Sequence, residues 1–260
     1  MEERGLQYDR RFMIVDEDGT FVTQRQYPQM ALIVTGIADE ELLLKAPGMS
    51  TLHVPLQPST GGRVLVGVWR SQCLALAVSR EADEWVSQYL GTRLRLVYMP
   101  DETRRAVNPI FSNEHIVSFA DGYPILLVGA ASFDDLNRRM EEPVSINRFR
   151  PNLVVAGAEP FAEDRWRQVR IGEVTLRATK CCARCMIPMI DQEKGRQTGK
   201  EPMRTLSKFR MQDRQITFGL YMLPLSYKQE PLRIGDAVEV IEGDESGLSP
   251  QANEKIQTPR

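Results

Sequence analysis

The chain has 260 residues, of which 26% are charged and 42% apolar, with a formal net charge of −2. That length suits one large domain or two ordinary ones, and a core that needs no disulfide or metal staple. The near-neutral charge gives no global reason to bind nucleic acid or an anionic membrane; no apolar run approaches the ~18 residues of a membrane span, and the opening Met1-Glu2-Glu3-Arg4-Gly5 lacks a signal-peptide pattern, so a reducing cytoplasm is the expected compartment.

The first hundred residues read as short strands with turn punctuation. An apolar run at 12–15 meets Asp16-Glu17-Asp18-Gly19 and resumes at 20–23, the pattern of a hairpin with an Asp-Gly turn. Further strands are expected at 30–35, 41–44, 51–56 and 63–69, a spacing typical of a sandwich or barrel. Ala82, Trp85, Val86, Tyr89 and Leu90 follow helical periodicity, and 92–98 reads as a strand. Residues 99–105 are polar and marked by Pro100, which predicts a linker with Arg104-Arg105 solvated.

Beyond that seam, 125–128 reads as a buried strand, and Ser132 with Asp135 three residues later predicts a helix start by a capping-box variant. Strands are expected at 153–155, 168–171 and 174–178, the last two joined across Gly172-Glu173. Met203, Leu206 and Phe209 give helical spacing over 201–210, and 216–223 and 236–241 complete the ordered part. From about Gly243 the chain is polar, which predicts a disordered tail over 244–260. The expected fold class is mostly β (α+β).

The densest chemical signal is Lys180-Cys181-Cys182-Ala183-Arg184-Cys185, which packs three of the chain's four cysteines into five residues beside positive charges that lower a thiol pKa. Structural zinc needs four ligands, yet there is no second C-x-x-C, and His53 and His115 stand apart. A thioredoxin-like pair should open a helix, whereas these cysteines follow a strand and Pro188 comes soon after. Inert packed thiols remain open. Arg150-Pro151-Asn152 precedes an apolar strand; Arg pairs with phosphate or carboxylate and Asn can match a heterocycle edge, though a solvated loop is the plainer reading. Asp9-Arg10-Arg11 is an anion contact or, more simply, surface charge. No Walker loop, G-x-G-x-x-G, H-E-x-x-H or G-x-S-x-G occurs, and two isolated histidines argue against a hydrolytic triad.

Phe119-Ala120-Asp121-Gly122-Tyr123-Pro124, Phe149-Arg150-Pro151-Asn152-Leu153-Val154-Val155, Cys182-Ala183-Arg184-Cys185 and Lys200-Glu201-Pro202 with Thr205-Leu206 fall in an order that resembles the MOSC domain, the C-terminal domain of molybdenum cofactor sulfurases. The resemblance is to the branch that includes the mitochondrial amidoxime reducing component and its bacterial relatives. Residues 12–15, Asp18 to Thr23 and Arg25-Gln26 are similar to the β-barrel domain that precedes MOSC there. The implied organisation is a MOSC N-terminal β-barrel over 1–100 and a MOSC β-barrel domain over 101–243.

The resemblance implies a molybdenum-molybdopterin cofactor, not pyridoxal phosphate, with Cys185 as the thiolate on the metal and the catalytic position. It places Arg150 and Asn152 on the pterin and its phosphate, Arg10 near the cofactor, Arg184 beside the metal ligand and Tyr221 in the pocket. The implied activity is reduction of N-hydroxylated compounds (amidoximes, hydroxylamines, N-hydroxylated bases), with electrons from a separate protein of ferredoxin, flavoprotein reductase or cytochrome b5 type. A sulfur carrier using a cysteine persulfide, or a cofactor-binding but inactive truncation, is the alternative.

Three departures accompany the match. The family's opening strand with its Lys and Ser lies before the first residue here, so the true start is upstream or the phosphate grip is weaker, and the barrel has an open edge. The usual serine of C-S-R-C is Ala183, and there is no appended four-cysteine ferredoxin run.

Overall fold

The computed structural model describes residues 1–226 and 231–244. The expected tail beyond 244 lies outside the described residues. The fold is mostly β with three α-helices among the described residues. No helix of these residues is long and apolar enough to cross a membrane.

In chain order the elements are β1 (Phe12–Val15), β2 (Val34–Ala38), β3 (Glu41–Lys45), β4 (Leu52–Pro55), β5 (Arg63–Val68), β6 (Ser71–Ala77), α1 (Arg80–Leu90) and β7 (Arg95–Tyr98). The second half carries β8 (Ile125–Gly129), α2 (Ala130–Arg138), β9 (Leu153–Val155), β10 (Trp166–Ile171), β11 (Val174–Ala183), β12 (Ile190–Asp191), β13 (Arg196–Gln197), α3 (Met203–Leu206), β14 (Met211–Gln212), β15 (Gln215–Pro224) and β16 (Val238–Gly243). The first half forms a sheet ordered β1-β7-β6-β5 and a smaller one ordered β2-β3-β4. In β3 and β4 alternate residues turn inward, so Leu42, Leu44, Leu52 and Val54 meet the apolar stripe of α1: Ala82, Trp85, Val86 and Leu90. Ser79 Oγ accepts from the Ala82 amide at 3.1 Å, and Gly91, at φ 75°, ends the helix.

The larger sheet runs β16-β10-β11-β15-β8-β9, with β14 also on β15; β8 and β9 are parallel and the other pairs antiparallel. All five residues of β8 are buried, as the strand's unbroken apolar run requires. Met1 and Leu6 pack into the core of this sheet rather than with the first half.

Several expectations are corrected. Residues 28–32 form a 3₁₀ turn led by Pro28, whose fixed φ suits a helical start, so the strand begins only at Val34. The Asp16–Gly19 turn is present, with Asp16 Oδ1 accepting from the Asp18 and Thr20 amides at 3.0 and 2.8 Å. Residues 20–23, however, form no strand of their own: Thr20 and Phe21 make isolated bridges, and the Val22 amide donates to the Ile14 carbonyl at 2.9 Å. Residues 71–77, for which the sequence pattern offers no strand, form β6. The 99–105 stretch is only partly solvated: Asp101, Glu102 and Arg104 are exposed, but Met99, Thr103 and Arg105 are buried. Arg105 Nη1 donates to the Ser118 and Ala120 carbonyls at 2.8 and 2.6 Å, Nη2 to the Asp121 carbonyl at 3.3 Å, and Nε to Ser71 Oγ at 2.8 Å. Arg11 is likewise buried, not surface charge, and donates to the Met99 carbonyl, Tyr98 Oη and Asp101 Oδ1.

Ser132 is not the cap of α2. The helix starts at Ala130, and Ser132 is buried, donating to Glu163 Oε2 at 2.7 Å while the Gly129 amide donates to Glu163 Oε1 at 3.0 Å. A remote carboxylate thus serves the helix start. The helix expected over 201–210 shortens to α3, where Pro202 occupies the cap position. Strand β11 runs on to Ala183, so Cys181 and Cys182 lie within it instead of after it.

Candidate active site: a cationic cavity with an open thiol

A cavity of about 450 Å³ opens between the two halves. Its walls include Arg10, Arg25, Arg150 and Arg184, against one acid, Asp121. All six residues singled out from sequence (Cys185, Arg10, Arg150, Asn152, Arg184 and Tyr221) line it. Four cations facing one carboxylate make a site suited to an anionic ligand.

The thiols are sorted by strand geometry. Successive residues of an extended strand face opposite sides. Cys181 enters the core cluster of the large sheet, and Cys182 enters the cluster around Phe149 and Phe218. The register between β11 and β15 shifts on either side of Cys181, which pairs with Leu220, and the neighbouring Gly219 stands at φ 79°. A Cβ there would stand 2.9 Å from the Leu127 carbonyl, so this close approach requires glycine. The irregular ladder ends β11 at Ala183 and frees the next residues to enter the cavity wall.

Cys185 is the exposed thiol, and Arg25 Nη2 donates to its Sγ at 3.1 Å. Cys182 is buried, with Arg184 Nη1 donating to its Sγ at 2.9 Å. Arg184 Nη2 also donates to the Phe149 carbonyl at 2.8 Å, and its guanidinium lies over the Phe149 ring, so Arg184 braces the thiol segment against the Arg150 segment. Burial pushes the Cys181 thiol up to about 12, with Asp164 adding to the rise. Cys181 is therefore a protonated core residue. Lys180 lies over aromatic rings, its ammonium 5.7 and 5.6 Å from the Phe111 and Tyr123 ring centres.

Arg150 stands at φ 54°, directly after a 3₁₀ turn whose last two residues, Arg148 and Phe149, are buried. Its side chain is accessible from the cavity yet surrounded by protein. Burial first, then Arg10, lowers its pKa, while Asp9 and Asp121 oppose the shift. No protein acceptor or ion pair is recorded for its guanidinium among the described residues. A cation that faces the cavity without a protein partner is suited to hold an anion.

Arg10, at φ 51°, pairs with Asp9 and donates to the Arg150 carbonyl at 3.4 Å. The Asn152 amide is partly committed inside the protein: Oδ1 accepts from the Leu126 amide and Nδ2 donates to Asp9 Oδ2, both at 3.0 Å. One N–H and one lone pair remain for a ligand. Tyr221 donates its hydroxyl to Cys182 and stacks on Tyr123 at 4.6 Å; burial, then Cys182, raises its pKa well above the usual phenol range.

Arg25 had no assigned role in the sequence reading, and 160 residues separate it from its thiol partner, so no local spacing could reveal the contact. Asp121 and Phe119 belong to a motif already noted but had no role until the cavity brought them together.

The MOSC N-terminal beta barrel domain family matches residues 1–93, and the MOSC domain family matches residues 114–239. The chain is 32% identical over 253 residues to mitochondrial amidoxime-reducing component 1 of Mus musculus, covering 91% of this chain and 74% of that protein. It is 34% identical over 242 residues to component 2 of Bos taurus, covering 88% and 72%. Against component 1 of Xenopus laevis identity is 33% over 216 residues, and the chain spans 63% of that protein's length. A solution structure of a Bordetella bronchiseptica protein is 26% identical, covers 36% of this chain and 75% of its own, and gives a TM-score of 0.33.

Proposed function

This chain belongs to the MOSC family of the mitochondrial amidoxime-reducing components, and from that premise we propose that its cavity holds a molybdenum pterin cofactor and reduces N-hydroxylated compounds. The observation that carries the reading is the pairing of an open thiol, Cys185, with a cavity-facing cation, Arg150, that has no protein acceptor among the described residues. A phosphate-bearing group would supply the charge Arg150 lacks, and a thiolate would supply one soft ligand to a metal. Among the described residues no group of three or more His, Cys, Asp or Glu could cage a metal, so an ion on Cys185 would take its other ligands from an organic cofactor. The residues present therefore fit the group.

Cys185 would hold the metal, with Arg25 donating to the sulfur and offsetting its negative charge. Arg150 and Arg10 would hold the phosphate-bearing end, and the free N–H and lone pair of Asn152 would meet the pterin edge. Arg184 and Tyr221 keep Cys182 hydrogen-bonded and hold the cavity floor in place. When bound, the cofactor supplies the two-electron chemistry that cleaves the N–O bond, converting N–OH with two electrons and two protons to N–H and water. Electrons would come from a separate donor protein. We also propose the division into domains at 1–100 and 101–243, a reading supported by the family matches at 1–93 and 114–239.

The test is molybdenum quantitation of the purified protein together with benzamidoxime reduction under a low-potential donor. Stoichiometric molybdenum and turnover are expected, both lost in Cys185→Ser. Cyanide-releasable sulfur without molybdenum would favour a sulfur carrier, and Cys185→Ser that keeps metal and activity would remove the thiolate assignment.

A further inference from the structure

Trp69 occupies an unusual place. Val68 pairs with Ser71, so Trp69 and Arg70 are the whole loop of the β5–β6 hairpin. Trp69 stands there at φ 55°, a left-handed conformation that favours glycine or asparagine and is exceptional for a bulky aromatic. The residue is 52% exposed, whereas Trp85 and Trp166, the remaining tryptophans, are buried.

The exposed ring is nonetheless held from several sides. Its Nε1–H donates to Asp121 Oδ1 at 3.0 Å, Phe21 packs edge-on with ring centres 4.9 Å apart, and the Arg25 guanidinium lies 4.8 Å from the ring centre. All three of these partners line the cavity, and Arg25 reaches on to Cys185. A strained backbone, an open indole and three supports drawn from the cavity wall describe a fixed aromatic plate at the rim, one side chain from the thiol.

We infer that Trp69 is a specificity-determining residue, the platform on which flat, π-delocalised N-hydroxylated substrates such as aryl amidoximes stack as they enter the cavity. The inference rests on the reductase reading. Substrates without a ring or extended conjugation gain nothing from the plate, so Trp69 sets the preference between aryl and alkyl substrates and leaves the bond cleavage itself alone.

Asparagine tolerates the left-handed backbone, so Trp69→Asn removes the ring without opposing the turn, and Trp69→Phe keeps a ring. Holoprotein of each form is assayed with benzamidoxime and acetamidoxime. Trp69→Asn is expected to retain its cofactor and to lose about two- to tenfold in kcat/KM for benzamidoxime, through KM, with acetamidoxime unchanged. Trp69→Phe should recover most of the loss. Without any electron donor, benzamidoxime should also quench the emission of the wild-type protein through its exposed tryptophan, a response that Trp69→Asn abolishes.

Equal aryl-to-alkyl ratios in wild type and Trp69→Asn, or the same emission response in both, would overturn the inference. A wild-type protein that reduces neither amidoxime would overturn the reductase reading instead, and the emission titration then decides the role of Trp69 alone.

Discussion

Two arginines, Arg105 in the seam and Arg150 in the cavity wall, share one predicament. Burial is the largest cause of a lowered pKa in each. Arg105 answers it with three backbone carbonyls and a serine hydroxyl. Arg150 has no such set, only Asp9 and Asp121 at a distance, with Arg10 working against it. A buried charge such as Arg105, whose donors are met by the protein, belongs to the architecture; a cavity-facing one such as Arg150, left unmet, belongs to a ligand.

The largest test of that contrast is Arg105→Ala. It leaves three carbonyls and a hydroxyl without their donor and should cost about 3 kcal/mol in urea unfolding, with the folded fraction still binding cofactor. Arg150→Met should do the reverse. Unfolding stability should hold or rise, because no native hydrogen bond is lost, while cofactor retained after gel filtration falls about tenfold. If Arg150→Met destabilised the protein as Arg105→Ala does, the contrast would collapse.

A smaller change sharpens the same division among the thiols. Cys181→Ala should cost about 1 kcal/mol in stability and leave molybdenum content unchanged. In metal-free wild type, mass spectrometry after iodoacetamide should find Cys185 modified and Cys181 protected, since one thiol is exposed and the other is buried and pushed up to about 12.

The smallest effect concerns Glu163. Burial raises its pKa above the ordinary 4.5, against the Ser132 and Gly129 hydrogen bonds that lower it. The folded state therefore binds more protons than the unfolded state between 4.5 and the raised value, and wild-type stability falls as pH rises through that window. Glu163→Gln removes this slope, so its stability relative to wild type should climb with pH in parallel urea titrations. A flat difference would show that the carboxyl titrates alike in both states.

Local pattern carried much of the fold. The stripe through Trp85, Val86 and Leu90, the alternation in β3 and β4 and the apolar run of β8 each declare their partners within a few residues. Motif order brought the cavity residues Arg150, Asn152, Cys185 and Tyr221 into view. Some failures are local, as where Pro28 starts a 3₁₀ turn in place of a strand and Pro202 stands at the cap of a shortened α3, but those at the site and in the seam are long-range. Arg105 reads as solvated beside Arg104 because the carbonyls it serves lie 13 to 16 residues on. Ser132 reads as a cap because Glu163, its real partner, is 31 residues away. Arg25 meets Cys185 across 160 residues, a contact that only the closed fold creates.

The opposed facing of Cys181 and Cys182 has a bearing on oxidation. Neighbours that point to opposite sides of a strand cannot bring their sulfurs within bonding distance without breaking the ladder. Peroxide reaching the cavity would therefore meet thiols that cannot retreat into a vicinal disulfide with Cys181. Oxidation would fall on the cavity thiols, Cys185 first, and leave Cys181 out of it.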